Sequence, residues 1–124
     1  MIVDDSPVIR SVGGRIIGDL GFSVVEAADG FEALEKCRRE MPDVILVDWD
    51  LTSMSGLELI EELNKNLASQ HTKILYCTTE IMIPEMTKAK RAGVNGFLMK
   101  PFNREIVIHK LVEAGIIDAA EVAA

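Results

Sequence analysis

A chain of 124 residues, 48% hydrophobic and 27% charged with a mean hydropathy of +0.20, has the size and makeup of one compact domain and is too apolar for a disordered chain. Its formal charge of −7 argues against nonspecific binding to nucleic acid, where Lys and Arg neutralising phosphates supply most of the affinity, and its longest basic run is KAKR at 88–91. No apolar run approaches the roughly 18 residues that span a bilayer and no basic segment leads into a cleavable apolar one, so the expectation is a cytoplasmic protein without membrane insertion.

Short apolar runs alternate with segments of helical period from one end to the other. MIV at 1–3 reads as a first strand and is followed by Asp4 and Asp5. Its shortness leads to the expectation that the native chain begins a few residues upstream. A first helix opens with Ser6 as N-cap and Pro7 at the first helical position, with Val8, Ile9, Val12, Ile16 and Ile17 expected to be buried, and ends near Gly21. Gly13, Gly14 and Gly18 each weaken that helix by roughly 1 kcal/mol relative to Ala, which implies a close approach on its surface. Ile9, Gly13, Gly14 and Ile17 would form a smooth strip fit for a docking partner, or would face the core.

SVVEA at 23–27 is the second strand, and a second helix runs from about Gly30 to Glu40 behind an Asp29 cap. DVILV at 43–47 is the third strand, followed by DWDLTSMSG and a third helix from about Gly56 to Asn66 with Leu57, Leu59, Ile60 and Leu63 inward. KILYC at 73–77 is the fourth strand, and Pro84 to about Ala92 the fourth helix. GFLM at 96–99 is the fifth strand, and Arg104 to Ala114 the fifth helix behind an Asn103 cap. Residues 115–124 extend that helix after a kink or fray. Cys37 and Cys77 lack metal-ligand spacing and lie in apolar-periodic segments, which suits core packing, while His71 and His109 read as solvated.

Alternating strands and helices predict a doubly wound α/β domain with a parallel sheet covered on both faces. Ligands in such sheets bind beyond the carboxyl ends of the strands. The unusual polar residues fall there: Asp4 and Asp5, Asp48 and Asp50, Thr78 and Thr79, and Lys100. Converging carboxylates repel one another unless a cation neutralises them, and oxygen donors suit a hard divalent ion such as Mg²⁺, or Mn²⁺ in its place. Lys100 supplies a point charge for phosphoryl oxygens, Thr78 a hydroxyl donor and Asp48 a nucleophile able to take a phosphoryl group. Each feature alone is ordinary, since a DD pair is commonly a turn or cap and a strand-end Thr a local hydrogen bonder. Their occurrence at four strand ends of one sheet is not.

The motifs IVDDS at 2–6, ADGFEAL at 28–34, DVILVDWDLTSMSGLEL at 43–59, TTE at 78–80 and KPF at 100–102 give the chain a resemblance, over essentially its whole length, to response-regulator receiver domains of the chemotaxis and cell-cycle single-domain type. The resemblance implies one receiver domain over 1–124, with 115–124 as a C-terminal extension. It also implies a flavodoxin-like (βα)5 fold with strand order 2-1-3-4-5. It makes Asp48 the phosphoacceptor, Asp5 a direct Mg²⁺ ligand with Asp48 and the main-chain carbonyl of Asp50, and Asp4 an indirect one. Thr78 becomes the switch hydroxyl, Lys100 the phosphoryl-binding lysine, and Phe97 the aromatic whose rotamer follows activation. The implied activity is transfer of a phosphoryl group from a sensor histidine kinase or histidine phosphotransfer protein to Asp48 and then its hydrolysis. The domain thus catalyses its own modification rather than acting as a turnover enzyme. A downstream protein target reads the switched surface. Residues 115–124 are too few for an output domain, so if the native chain ends there the expectation is a protein that works by changing what it binds, either as a phosphoryl shuttle between kinase and phosphotransfer proteins or as an allosteric adaptor; a piece of a longer regulator would read the same.

The chain departs from the family pattern at Thr52, where Pro is common, and at Ser55, where Asp is, which predicts a more mobile loop before Gly56. Thr79 replaces a smaller residue and would narrow access to the phosphoryl site. Asp50, Thr79 and Glu80 hold positions that modulate aspartyl-phosphate lifetime in the family. A rival reading exists, because DWDLT also fits the D-x-D-x-T signature of haloacid dehalogenase-type phosphatases, with Asp48 as nucleophile and Asp50 as general acid. Against it, the acidic pair lies upstream at 4 and 5 and only about seventy residues follow. A degenerate receiver acting as a plain interaction module is the third reading, opposed by the intact set of Asp5, Asp48, Thr78 and Lys100.

Overall fold

The computed structural model describes residues 1–66 and 71–120. Five strands, β1 (Ile2–Val3), β2 (Glu26–Ala27), β3 (Val44–Asp48), β4 (Lys73–Thr78) and β5 (Gly96–Met99), alternate with five helices. The helices are α1 (Pro7–Asp19), α2 (Gly30–Arg39), α3 (Gly56–Asn64), α4 (Ile83–Arg91) and α5 (Arg104–Glu113). All neighbouring strands pair in parallel, in the order β2-β1-β3-β4-β5. This is the doubly wound, flavodoxin-like arrangement expected.

Side-chain alternation sorts the strands onto two buried faces. Val3, Ile45, Val47, Ile74 and Tyr76 pack with Ala33 and Cys37 of α2, Leu59, Ile60 and Leu63 of α3, and Ala89 of α4. Ile2, Val44, Leu46, Leu75, Cys77 and Leu98 pack with Ile17 of α1 and with Val107 and Leu111 of α5. Each fully buried aliphatic side chain contributes about 1.5–3 kcal/mol, so the two layers hold the sheet rigid and its strand ends in fixed register. Both cysteines are buried, and His71 and His109 are exposed, as expected.

Caps mark the helix starts. Ser6 Oγ accepts from the Ile9 amide (3.3 Å), Asp29 Oδ1 from Glu32 (2.8 Å), Ser55 Oγ from Glu58 (3.1 Å) and Asn103 Oδ1 from Ile106 (2.9 Å). Helix α4 begins one residue before Pro84, with Met82 as N-cap and no side-chain cap bond. Helix α3 stops at Asn64 rather than Asn66. The second strand contracts to two residues, leaving Val24 and Val25 exposed, although the Val25 carbonyl still accepts from the Ile2 amide at 2.9 Å. Beyond α5, Gly115 turns with φ of +74° and Ile116 and Ile117 pack on the α1/α5 layer. The remainder of the expected extension, 121–124, lies outside the described residues.

The inner face of α1 differs from the apolar pattern. Gly13 and Ile17 are its buried residues, Ile9 and Ile16 are half-buried, and Val8 and Val12 face solvent at 68% and 44% exposure. The reason is steric: a Cβ on Gly13 would sit 3.2 Å from Ile2 Cδ1 and 3.6 Å from the Phe102 ring, so the helix seats its glycine against the sheet. Val12, one position earlier, and Val8, a turn before that, are thereby rotated outward. The strip Ile9, Gly13, Gly14, Ile17 is consequently mostly a core face rather than an open docking surface.

Gly14 and Gly56 predict opposite outcomes for the same change. A Cβ on Gly14 meets Val24 Cγ1 at an ordinary 3.5 Å, whereas one on Gly56 would lie 2.5 Å from the Asp48 carbonyl oxygen and 2.9 Å from Trp49 Cα. In urea unfolding, Gly14→Ala is expected to raise stability by about 0.5–1 kcal/mol. Gly56→Ala should lower it by more than that gain, because backbone must move. A Gly56→Ala protein as stable as the parent would contradict the close approach.

Candidate functional site

Register explains which groups meet at the carboxyl ends of the strands. Val3 pairs with Val47, so Asp4 and Asp48 follow at the same level on adjacent strands and leave the sheet on the same side. Lys100 continues β5 two residues beyond Leu98, on the same alternation, with its amide donating to the Thr78 carbonyl at 2.8 Å. The three side chains converge. Lys100 Nζ lies 3.0 Å from Asp4 Oδ2 and 2.9 Å from Asp48 Oδ1, with side-chain exposures of 11% for the lysine and 4% for each carboxylate.

Asp4 is held at several atoms. Its amide donates to Ala27 O (3.1 Å), its Oδ1 accepts from the Ser6 amide (2.9 Å) and its Oδ2 accepts from Lys100 (3.0 Å). Asp48 is not. Its Oδ1 is buried beside the ammonium, but among the described residues it has no hydrogen bond of good geometry, so the contact with Lys100 is an ion pair. Burial, the largest influence, raises the Asp48 pKa; the contact with Lys100 opposes this, and the charges of Asp4 and Asp5 reinforce it. For Lys100, burial alone would lower the pKa, yet its close contacts with the Asp48 and Asp4 carboxylates outweigh that and raise it. The ammonium therefore stays charged between two carboxylates.

Asp5 is exposed and makes no hydrogen bond or ion pair among the described residues. One oxygen each from Asp4, Asp5 and Asp48 lies within 4.8 Å of the others. Three carboxylates against one ammonium leave a formal charge of −2 at the strand ends, which a divalent cation would neutralise. An unbonded carboxylate at the rim, a buried carboxylate oxygen without a hydrogen bond and an all-oxygen donor set fit Mg²⁺.

The remaining expected residues surround this centre. Thr78 is buried, but its hydroxyl is turned into its own loop, donating to Glu80 O (2.9 Å) and accepting from the Glu80 amide (3.2 Å). Asp50, Thr79 and Glu80 are exposed, so the bulk of Thr79 lies outside the core. Phe97 is half-buried and meets Tyr76 edge to face, with ring centroids 6.1 Å apart and an interplanar angle of 80°. Tyr76 was missed from the sequence, where it reads only as an apolar strand residue; burial pushes its phenol up to about 12.

The loop after Asp48 is tied down despite its departures. Gly56 N donates to Trp49 O (3.0 Å), Met54 N to Thr52 O (2.8 Å), Leu51 is buried, and Ser55 caps α3. Met54 also fills the space over Gly30, where a Cβ would be 2.7 Å from its Sδ. Thr52 and Ser55, the loop's two departures from the family pattern, both take part in these contacts.

Comparison with known proteins agrees with this geometry. The family model for the response regulator receiver domain matches residues 1–112. The chain is 32% identical over 112 residues to the chemotaxis protein CheY-3 of Vibrio cholerae, covering 90% of this chain and 86% of that protein. It superposes on the structure of V. cholerae chemotaxis protein CheY4 crystallised at low pH with a TM-score of 0.87 and 35% identity, covering 91% and 94% of the two chains. A receiver domain of the sensor histidine kinase PA1611 from Pseudomonas aeruginosa, with a magnesium ion coordinated in its active site cleft, matches with a TM-score of 0.80 and 28% identity over 92% of this chain and 94% of that one. No helix among the described residues is long and apolar enough to cross a membrane.

The unfavourable setting of the Asp48 charge has a measurable consequence. Asp48→Asn removes a buried like charge while Asp4 still pairs with Lys100, so in the presence of a chelator the variant should be more stable by roughly 1 kcal/mol in urea unfolding. A loss of stability would contradict the account of this carboxylate.

Proposed function

The chain belongs to the response regulator receiver domain family, and from that premise we propose that Asp48 accepts a phosphoryl group from a phosphohistidine of a sensor kinase or phosphotransfer protein. The observation that carries the assignment is the Lys100 ammonium held between Asp4 and Asp48 at 3.0 and 2.9 Å, with Asp5 open beside them. Asp5, Asp48 and the Asp50 main-chain carbonyl would hold Mg²⁺ directly and Asp4 indirectly. When bound, the ion offsets the carboxylate charge and favours approach of an anionic phosphoryl group.

In the transfer, an Asp48 oxygen attacks phosphorus, the P–N bond to the donor imidazole breaks, and an acyl phosphate forms while the imidazole leaves and takes up a proton. Lys100 exchanges its contact with Asp48 for a phosphoryl oxygen, a small movement for an ammonium already 2.9 Å from the nucleophile. Thr78 must release the Glu80 backbone to donate its hydroxyl to the phosphoryl group. That change frees both polar groups of Glu80, so the loop into α4 re-forms, and Phe97 against Tyr76 is placed to follow. A surface read by a downstream protein is thereby altered as a population shift between two states. Hydrolysis of the acyl phosphate, with Asp50, Thr79 and Glu80 at its rim, resets the domain.

This reading favours a signalling switch over a turnover phosphatase, since the acidic partners of Asp48 come from the β1–α1 loop and the lysine from the end of β5. The test uses Trp49, half-buried next to Asp48. With Mg²⁺ and either BeF₃⁻ or a small acyl-phosphate donor, indole fluorescence should change, and the change should vanish in Asp48→Asn. Lys100→Met should keep a Mg²⁺ response while slowing loading from the donor by at least about 100-fold, the usual effect of removing one electrostatic stabiliser. Release of many phosphates per protein from assorted phosphoesters would instead favour the phosphatase.

A further inference from the structure

Arg10 lies one turn into α1 and plays no part in the chemistry above. Its side chain is 18% exposed and makes two directed contacts: Nη1 donates to the main-chain carbonyl of Asp4 at 2.7 Å, and Nε pairs with Glu26 Oε1 at 3.2 Å. Glu26 is in turn fixed from α2, because Lys36 Nζ donates to its carbonyl at 2.5 Å and pairs with Glu32 Oε1 at 3.0 Å. A polar chain thus runs from α2 through β2 and α1 to one peptide group of the β1–α1 loop.

That peptide group is the one joining Asp4 to Asp5. Its orientation sets the direction in which the Asp5 side chain leaves the backbone. The Asp5 carboxylate itself has no hydrogen bond or ion pair among the described residues, so nothing at its own tip aims it. The Asp4 side chain is already secured by the Ser6 amide and Lys100. We infer that Arg10, braced by Glu26, is a positioning residue that orients the Asp4–Asp5 peptide and so presents the Asp5 carboxylate to a divalent cation. A guanidinium suits the task because its planar fork reaches two acceptors at fixed angles, which an ammonium does not.

A merely electrostatic role predicts the opposite sign. A cation near three carboxylates competes with a metal ion, so deleting its charge would tighten metal binding, whereas deleting an aiming contact weakens it. The inference rests on the proposed Mg²⁺ site, and the experiment separates the two. Mg²⁺ is titrated into the full chain, Arg10→Met, Arg10→Lys and Glu26→Gln, following Trp49 fluorescence, with urea unfolding of each in chelator. Arg10→Met should raise the Mg²⁺ dissociation constant about tenfold or more, the usual effect of losing a group that orients a metal ligand. Arg10→Lys should recover little of it, and Glu26→Gln should show a smaller weakening of about threefold. Metal-free unfolding midpoints should not follow the same order.

Mg²⁺ binding unchanged or tighter in Arg10→Met overturns the inference. If Arg10→Met fails to fold, Glu26→Gln decides, and parental affinity there overturns it. Parental affinity in Arg10→Lys, with Arg10→Met weakened, would overturn it as well, because the role assigned here needs the two-acceptor fork that an ammonium lacks. No Mg²⁺ response in the parent chain would sink the site reading itself, and the positioning role with it.

Discussion

Placing carboxylates from adjacent strands side by side, largely away from water, is the constraint on which this molecule turns. Asp4 and Asp48 are each 4% exposed and would repel one another without the Lys100 ammonium lodged between them at 3.0 and 2.9 Å. The ammonium only partly relieves the strain, since burial still raises the Asp48 pKa. A site left short of positive charge in this way has a standing preference for a divalent cation and then for an anion carried to that cation. Stability is set aside at one position to keep a reactive group ready.

The fold makes that arrangement affordable through register. Pairing of Val3 with Val47 and of Tyr76 with Phe97 delivers four strand ends to one edge, and two buried layers keep those ends from relaxing apart. The same sheet links the site to the surface. Thr78 spends its hydroxyl on both polar groups of Glu80, so any new partner for that hydroxyl disturbs the loop into α4, while Phe97 rests against Tyr76 one strand away.

Much of this was legible in the residues themselves. Ser6, Asp29 and Asn103 announce their helices as caps, and the apolar VILV run announces a central strand; all were found where expected, and Ser55 caps α3 without having been read as a cap. The failures have physical causes. Hydrophobicity put Val8 and Val12 inside α1, but the tight seat over Ile2 and Phe102 selects Gly13, a residue that carries no apolar signal. The pairing of Lys100 with Asp4, 96 residues apart, and the bracing of Arg10 by Glu26 depend on strand order, which periodicity does not encode. The roles of Asp5, Thr78 and Phe97 came from family resemblance, and their geometry is what the fold adds.

The central claim is that one carboxylate, that of Asp48, forms the acyl phosphate. It is tested most directly by loading the chain from a small phosphodonor with Mg²⁺, reducing the product with borohydride and locating the modified residue by peptide mass. Reduction should convert Asp48 alone to homoserine. Conversion at Asp4, Asp5 or Asp50 in place of Asp48, or none at all with Mg²⁺ present, would contradict it.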